Sequence, residues 1–276
     1  MFCLSFAGQE VTISNISFKA QTDKELNCLA VKFDVGLKYS YNQLLQKGDS
    51  SNQYVIEVYF KQGSLLNANK GYANYRDTEG KVKTTYVIPL SNDVRSFDNI
   101  NLLIPFGAID IPEGMQDVKP VFVITDTQYR TIASKSGKES FTLLFPQKMK
   151  LHVSVKEILV SETDFKDEFW DYFIMDTNVA KPEVCWSVLL ASRKINGSKH
   201  TNDNYTYHDA DEKDAVEFFI SKNDIFYINI YDLDMMSFSD EVGSLRIDMN
   251  TTIPAITHYI SKFGKVLRME YDIKVL

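Results

Sequence analysis

The stretch Ile225–Gly243 reads IFYINIYDLDMMSFSDEVG and joins a strand pattern to a dense group of acidic residues. Apolar and polar side chains alternate along 225–231, which is typical of a strand with one buried face. Three carboxylates, Asp232, Asp234 and Asp240, then follow within nine residues. Like charges at this spacing repel one another unless water solvates them or a cation shares them. Calcium prefers hard oxygen ligands on flexible loops, so the stretch predicts a strand that ends in a candidate calcium loop.

The same strand pattern recurs along the whole chain, with turn-rich segments between the strands. In the first half, the predicted strands cover 10–18, 30–37, 54–61, 82–89, 99–105, 119–125 and 139–145. In the second half, they cover 151–160, 184–190, 216–220, 225–231, 245–249 and 267–275. A shift in the apolar register near Ile158 predicts a bulge. We expect an all-β protein made of antiparallel sheets, with a helix only at 253–263.

The chain of 276 residues is long enough for two β-sandwich domains. One strand series ends and another begins at 145–150, which predicts domains at 9–146 and 149–276. A single fused sandwich is the alternative.

Charge and cysteine content exclude several classes of function. The net charge of −7 argues against a nucleic-acid partner, which requires a basic surface. It also argues against simple electrostatic binding to anionic lipid, unless bound cations reverse the local charge. The cysteines Cys3, Cys28 and Cys185 form no CxxC pair, so we expect buried apolar residues instead of a zinc site or a disulfide scaffold.

The apolar stretch 1–8 contains Ser5-Phe6-Ala7, which has the small-x-small form of a signal-peptidase site. It lacks a basic region and a full apolar core, so the end of an export signal and a first strand are both open interpretations. An export signal would favour an extracytoplasmic or cell-envelope location, and a cytoplasmic location stays open.

Residues 149–276 resemble a C2 domain, a β-sandwich family that often binds calcium and lipid or protein. The third calcium loop of that family has the pattern D-x-D, then Asp six residues on, before a Gly. Asp232, Asp234, Asp240 and Gly243 match this pattern. The family's first calcium loop corresponds to the stretch that begins at Trp170-Asp171 and continues through Pro182-Glu183.

The resemblance implies five metal ligands: Asp171, Glu183, Asp232, Asp234 and Asp240. The chain departs from the family at Glu183, where Asp is usual, and at Val184-Cys185, which replaces Pro-Tyr. The interval between the two residues of the first loop is long, so Asp176 is a rival to Asp171.

Two other interpretations of the acidic residues stay open. The aspartates could cap a solvated hairpin tip through their own backbone. The apolar residues Met235, Met236 and Phe238 could insert into a protein or lipid interface, or fold back under the loop. The segment His208–Glu212 is expected to be a polar loop, and His152 an exposed strand position.

No nucleophile elbow, P-loop, dinucleotide fingerprint or zinc-protease motif occurs, so we expect a protein that is not an enzyme. The predicted function is a binding or scaffolding protein of the cell envelope or extracytoplasmic space, with a protein partner and with calcium as the candidate ligand of its C2-like domain. Three alternatives are a calcium-dependent membrane-targeting protein, a structural subunit of an envelope or secretion assembly, and a hydrolase with scattered carboxylates.

Overall fold

The structure is a computed structural model that describes residues 3–5, 11–23, 26–39, 41–46, 53–90, 94–126, 131–137, 140–162, 182–190, 193–197, 205–232, 240–252 and 257–276. Antiparallel sheets dominate it, and the predicted all-β fold class is confirmed. The chain divides into two compact units, Met1–Asp23 with Asn27–Lys148, and Lys24–Leu26 with Met149–Leu276. No helix in these ranges combines the length and apolar character needed to cross a bilayer.

The first unit contains the strands β1 (Cys3–Ser5), β2 (Val11–Asp23), β3 (Leu26–Leu37), β4 (Gln53–Gln62), β5 (Ser64–Leu65), β6 (Lys83–Pro89), β7 (Ser96–Pro105), β8 (Gly114–Thr125), β9 (Thr131–Ser136) and β10 (Phe141–Phe145). A short helix, α1, covers Tyr41–Gln46, and two 3₁₀ turns cover Ala73–Tyr75 and Phe106–Ala108. One sheet has the order β1-β2-β3-β7. The other has the order β10-β8-β4-β5, with β6 paired to β4 and β9 paired to β8.

Aromatic contacts show that these two sheets pack face to face. The ring of Phe33 on β3 meets that of Phe122 on β8 edge-on, with 5.4 Å between the centroids. Phe18 on β2 contacts Phe60 on β4 at 6.2 Å. The inward residues of β3 and β4 alternate with partly exposed ones, as the period of two in a strand requires. The first unit is therefore a β-sandwich.

The second unit contains the strands β11 (Lys148–Val160), β12 (Val184–Leu190), β13 (Arg193–Gly197), β14 (Thr206–His208), β15 (Val216–Ser221), β16 (Ile225–Asp232), β17 (Asp240–Asp248), β18 (Thr257–Phe263) and β19 (Val266–Val275). One sheet has the order β14-β11-β19-β18, with β15 also paired to β11, and the other has the order β13-β12-β16-β17. Phe218 on β15 meets Phe226 on β16 edge-on across the two sheets, at 5.3 Å between centroids. The second unit is thus also a sandwich.

The predicted helix at 253–263 is wrong over the part that the structure describes. Thr257–Phe263 forms β18, which pairs with β19 from Thr257 opposite Asp272 to Phe263 opposite Val266. Residues 253–256 lie outside the described ranges. The segment is an edge strand with most side chains partly or fully exposed, so it lacks the clear alternation of a half-buried strand. Backbone pairing with the next strand, β19, across a tight turn decides its conformation.

Other local predictions agree with the structure. The ladder between β11 and β19 shifts register between Val155 and Glu157, which is the predicted bulge, slightly earlier than the sequence placed it. Cys28 and Cys185 are buried, as expected.

Candidate functional site

The strand registers of the second unit bring three of the predicted ligands to one end of a sheet. Val184 on β12 lies opposite Asp232, the last residue of β16. Asp232 in turn lies opposite Asp240, the first residue of β17. Glu183 immediately precedes β12, so it lies beside the same row. We call Glu183, Asp232 and Asp240 the acidic end.

A short hydrogen bond joins two members of the acidic end. The backbone N–H of Glu183 donates to Oδ1 of Asp232 across 2.7 Å. Asp232 is only 1% exposed, so its carboxylate is not the solvated hairpin tip that the sequence left open. A hydrogen bond to a buried carboxylate stabilises its charged form and fixes the position of the side chain. Asp232 therefore holds the start of β12 against the end of β16.

The carboxylate of Glu183 has an unusual environment. Its Oε2 atom is buried and has no hydrogen-bond partner within the described residues. A buried carboxylate oxygen without a donor is costly, because it has lost water without gaining a replacement. A cation at the acidic end would satisfy this oxygen, so this observation fits the oxygen-rich ligand set that calcium prefers.

The remaining predicted ligands are not all visible. Asp171, its rival Asp176, and Asp234 lie outside the described ranges. Asp240 is described in its backbone alone. Among the side chains that are described, no group of three His, Cys, Asp or Glu residues is arranged to hold a metal ion. The five-residue ligand set stays a prediction.

The apolar residues Met235, Met236 and Phe238 also lie outside the described ranges. Their predicted insertion into an interface, like the opposite prediction that they fold back, is untested by the structure.

Sequence reasoning missed the turn between β18 and β19, which lies at the same end of the sandwich. The backbone N–H of Lys265 donates to the carbonyl of Val242 at 2.8 Å, and the N–H of Ser161 donates to the carbonyl of Lys265 at 2.9 Å. The tripeptide Phe263-Gly264-Lys265 carries a glycine turn signal that could have revealed this hairpin. The helical interpretation of 253–263 concealed it.

The second acidic segment, His208–Glu212, is a polar loop as predicted except at His208, which is the last residue of β14. Asp209 accepts backbone hydrogen bonds from Lys213 at 3.1 Å and Asp214 at 2.9 Å, so it caps a turn. The prediction of an exposed His152 is wrong: its side chain is 20% exposed, and its Nε2 lies 3.1 Å from Oε2 of Glu212. The loop folds over the sheet and covers the histidine, which alternation along one strand cannot reveal.

Two solved structures that are similar to part of this chain are C2 domains. One, described as the structure of a C2 domain, is 17% identical and covers 46% of this chain and 99% of its own, with a TM-score of 0.31. Another, a C2 domain of plant extended synaptotagmin 1, is 13% identical and covers 46% of this chain and 95% of its own, with a TM-score of 0.31. No protein-family model and no curated protein matches the chain. The C2-like resemblance predicted from the sequence is confirmed to this extent, as a likeness in fold of part of the chain.

Proposed function

We propose that this chain is a non-catalytic binding protein whose second unit binds calcium at the acidic end. The observation that carries the proposal is the buried Oε2 of Glu183, which has no partner in the described structure and belongs to the residue whose backbone N–H donates to the buried carboxylate of Asp232. This chain binds a protein partner, and it is located in the cell envelope or another extracytoplasmic space. Calcium there is concentrated enough to fill a weak site.

The physical basis of the proposal is the balance of charge at the sheet end. Asp232 and Asp240 are opposite each other in the ladder, and like charges in opposed positions destabilise a strand pair. Glu183 adds a third carboxylate to the same row. A divalent cation would reduce the repulsion between these carboxylates, and Oε2 of Glu183 could coordinate it. Calcium suits such a site better than magnesium because it tolerates irregular oxygen coordination.

Isothermal titration of the full chain with calcium chloride tests the proposal. We expect saturable binding by the unmodified chain and at least about tenfold weaker binding by Asp232→Asn, which corresponds to about 1.4 kcal/mol. The asparagine keeps an oxygen that can accept the Glu183 N–H bond, so the variant changes the charge with little change in the backbone contacts.

Asp248→Asn is the matched control. Asp248 is opposite Ile225, at the other end of the same two strands, and its Oδ1 accepts the N–H of Asn250 at 3.0 Å. We expect it to bind calcium like the unmodified chain. No heat of binding at millimolar calcium, or equal loss in both variants, would contradict a site at the acidic end.

The same preparation distinguishes a protein partner from a membrane. Co-sedimentation with vesicles of phosphatidylcholine and phosphatidylserine, with and without chelator, is expected to leave the protein in the supernatant. Calcium-dependent pelleting would replace the protein-partner proposal with the membrane-targeting alternative.

A further inference from the structure

The chain contains the acceptor pattern for asparagine-linked glycans, Asn-x-Ser or Asn-x-Thr, at four positions: Asn15, Asn196, Asn204 and Asn250. The pattern is short, so the surroundings of each asparagine decide whether a glycan fits there. The side chains of Asn196 and Asn204 lie outside the described part of the chain. Asn15 and Asn250 are the two asparagines whose side chains can be compared.

The side chain of Asn15 is already engaged in a sheet. Asn15 lies within β2, which is paired between β1 and β3. Its Nδ2 donates a hydrogen bond to Oδ2 of Asp34 on β3. The other oxygen of that carboxylate accepts the backbone N–H of Asn99 on β7 at 2.6 Å, so Asp34 links three strands. A sugar on Nδ2 of Asn15 would occupy the same space and weaken this link.

The side chain of Asn250 has the opposite environment, because it lies in an exposed turn after β17. Asp248 fixes this turn: its Oδ1 accepts the backbone N–H of Asn250 at 3.0 Å. Its carbonyl oxygen accepts the N–H groups of Thr251 at 3.0 Å and Thr252 at 2.9 Å. The side-chain amide of Asn250 takes no part in these bonds and makes no hydrogen bond with any described residue. A glycan can therefore extend from its Nδ2 into solvent without breaking a contact.

The turn is also remote from the acidic end. Asp248 is opposite Ile225 at one end of the ladder between β16 and β17. Asp232 and Asp240 are opposite each other at the other end of that ladder. A bulky polar group on Asn250 thus leaves the acidic end open to a cation.

We propose that Asn250 is a glycosylation site that carries an asparagine-linked oligosaccharide. The proposal rests on the extracytoplasmic location proposed above, where the oligosaccharide donor, a lipid diphosphate, is presented to secreted chains. Thr252 supplies the hydroxyl that the acceptor pattern requires. In the reaction, Nδ2 of Asn250 forms a bond to C1 of the first sugar as the bond from C1 to the diphosphate oxygen breaks. The amide loses one proton, the lipid diphosphate leaves, and no group is oxidised or reduced.

Mass spectrometry of the full chain, isolated from the cells that produce it, tests the proposal. We expect the peptide with Asn250 to carry a glycan that peptide N-glycosidase removes, with conversion of the asparagine to aspartate. The peptide with Asn15 is expected to carry none. Occupancy of Asn15 equal to or above that of Asn250 overturns the proposal, because the bond to Asp34 would then be no obstacle.

Two neighbouring threonines provide matched variants. Thr252→Ala removes the hydroxyl of the acceptor pattern and is expected to abolish the glycan while Asn250 stays in place. Thr251→Ala removes a hydroxyl at the middle position, whose Oγ1 donates to the carbonyl of Asp248 at 3.2 Å, and is expected to retain the glycan. A glycan that survives Thr252→Ala, or that is lost equally in both variants, contradicts recognition of Asn250 through this pattern.

The location of the chain separates this proposal from the one on which it rests. An unmodified Asn250 in chain recovered from an extracytoplasmic fraction overturns the glycosylation site and leaves the proposed location intact. A chain found only in the cytoplasm overturns both, whereas the calcium titration tests the acidic end independently of either.

Discussion

The backbone N–H of Glu183 lies 2.7 Å from Oδ1 of Asp232, although the two residues are 49 positions apart in the chain. This hydrogen bond joins the residue immediately before β12 to the residue that ends β16. Asp232 therefore has a structural role whether or not a cation is bound. Its carboxylate orients the residue whose own carboxylate oxygen is buried without a partner in the described structure.

The side chain of Asp232 is both a charged group and the acceptor of the Glu183 N–H. We therefore predict that two substitutions of Asp232 differ in their effect on stability. Asp232→Ala removes a buried acceptor and leaves the N–H of Glu183 without its partner, so we expect a loss of about 1–3 kcal/mol in the free energy of unfolding. Asp232→Asn keeps an acceptor oxygen, so we expect a smaller loss in calcium-free buffer. Urea unfolding followed by circular dichroism measures both. Equal losses would show that the charge, and not the hydrogen bond to Glu183, determines the stability.

The sequence predicted the elements of this site because alternation along a half-buried strand is a local signal. The pattern along 225–231 predicted β16 almost to its ends, and the position of Asp232 at the strand end followed from it. The register between β12 and β16 is not a local property. Nothing near Glu183 in the chain indicates that Val184 lies opposite Asp232, so the sequence suggested the pairing of the two loops only through the C2 resemblance.

The alternation of apolar and polar residues does not identify edge strands reliably, because such strands bury few side chains. β18 keeps its backbone bonds to β19 but buries few side chains, so Tyr259 is 71% exposed and the apolar period is weak. The prediction of a helix there failed because backbone pairing with β19, and not the pattern of buried side chains, determines the conformation of this strand. The turn at Gly264 was missed for the same reason.

Each of the two units has its own buried aromatic pair between its two sheets. We therefore predict that the two units unfold in separate transitions. Phe226→Ala removes a fully buried ring that packs on Phe218, and we expect a loss of about 3–5 kcal/mol confined to one calorimetric transition. Phe122→Ala removes the equivalent ring beside Phe33 in the first unit and is expected to lower the other transition. Differential scanning calorimetry of the full chain separates the two. If either variant lowers both transitions equally, the units are not independent.

We predict that the buried side chain of Asn69 stabilises the first unit locally. Its buried Nδ2 donates to the carbonyls of Gly107 at 2.8 Å and Ile109 at 3.3 Å, next to a 3₁₀ turn. Asn69→Ala leaves these acceptors without the amide and is expected to cost about 1–3 kcal/mol. Asn69→Asp is expected to cost more at neutral pH, because a carboxylate would face two carbonyl oxygens.

Asn67→Ala is the control for this pair, since Asn67 is exposed and its Oδ1 accepts a bond from Lys81 at the surface. We expect a change below about 0.5 kcal/mol. Thermal unfolding of the first unit measures all three variants. An Asn69→Ala variant as stable as Asn67→Ala would show that other groups replace the buried amide.

The ion pairs over β11 and β19 predict how the second unit responds to acid. Nζ of Lys274 lies 3.0 Å from Oε1 of Glu212, and His152 contacts the other oxygen of that carboxylate. The hydrogen bond from Lys274 lowers the pKa of Glu212 below its ordinary value of 4.5, burial opposes this shift, and the bond from His152 adds to it. The folded state therefore favours the charged carboxylate more strongly than the unfolded chain does.

A carboxyl group with a lowered pKa in the folded state stabilises the fold above its unfolded pKa, and this contribution disappears as the pH falls through the folded pKa. Glu212→Gln should thus lower stability at about pH 7 and weaken the decline in stability between about pH 5 and pH 3. Urea unfolding of the second unit across this range measures both effects. Glu113→Gln, an exposed position in the first unit, is the control and should leave the decline unchanged. A Glu212→Gln variant with the same pH dependence as the unmodified chain would show that Lys274 and His152 do not stabilise the charged carboxylate in solution.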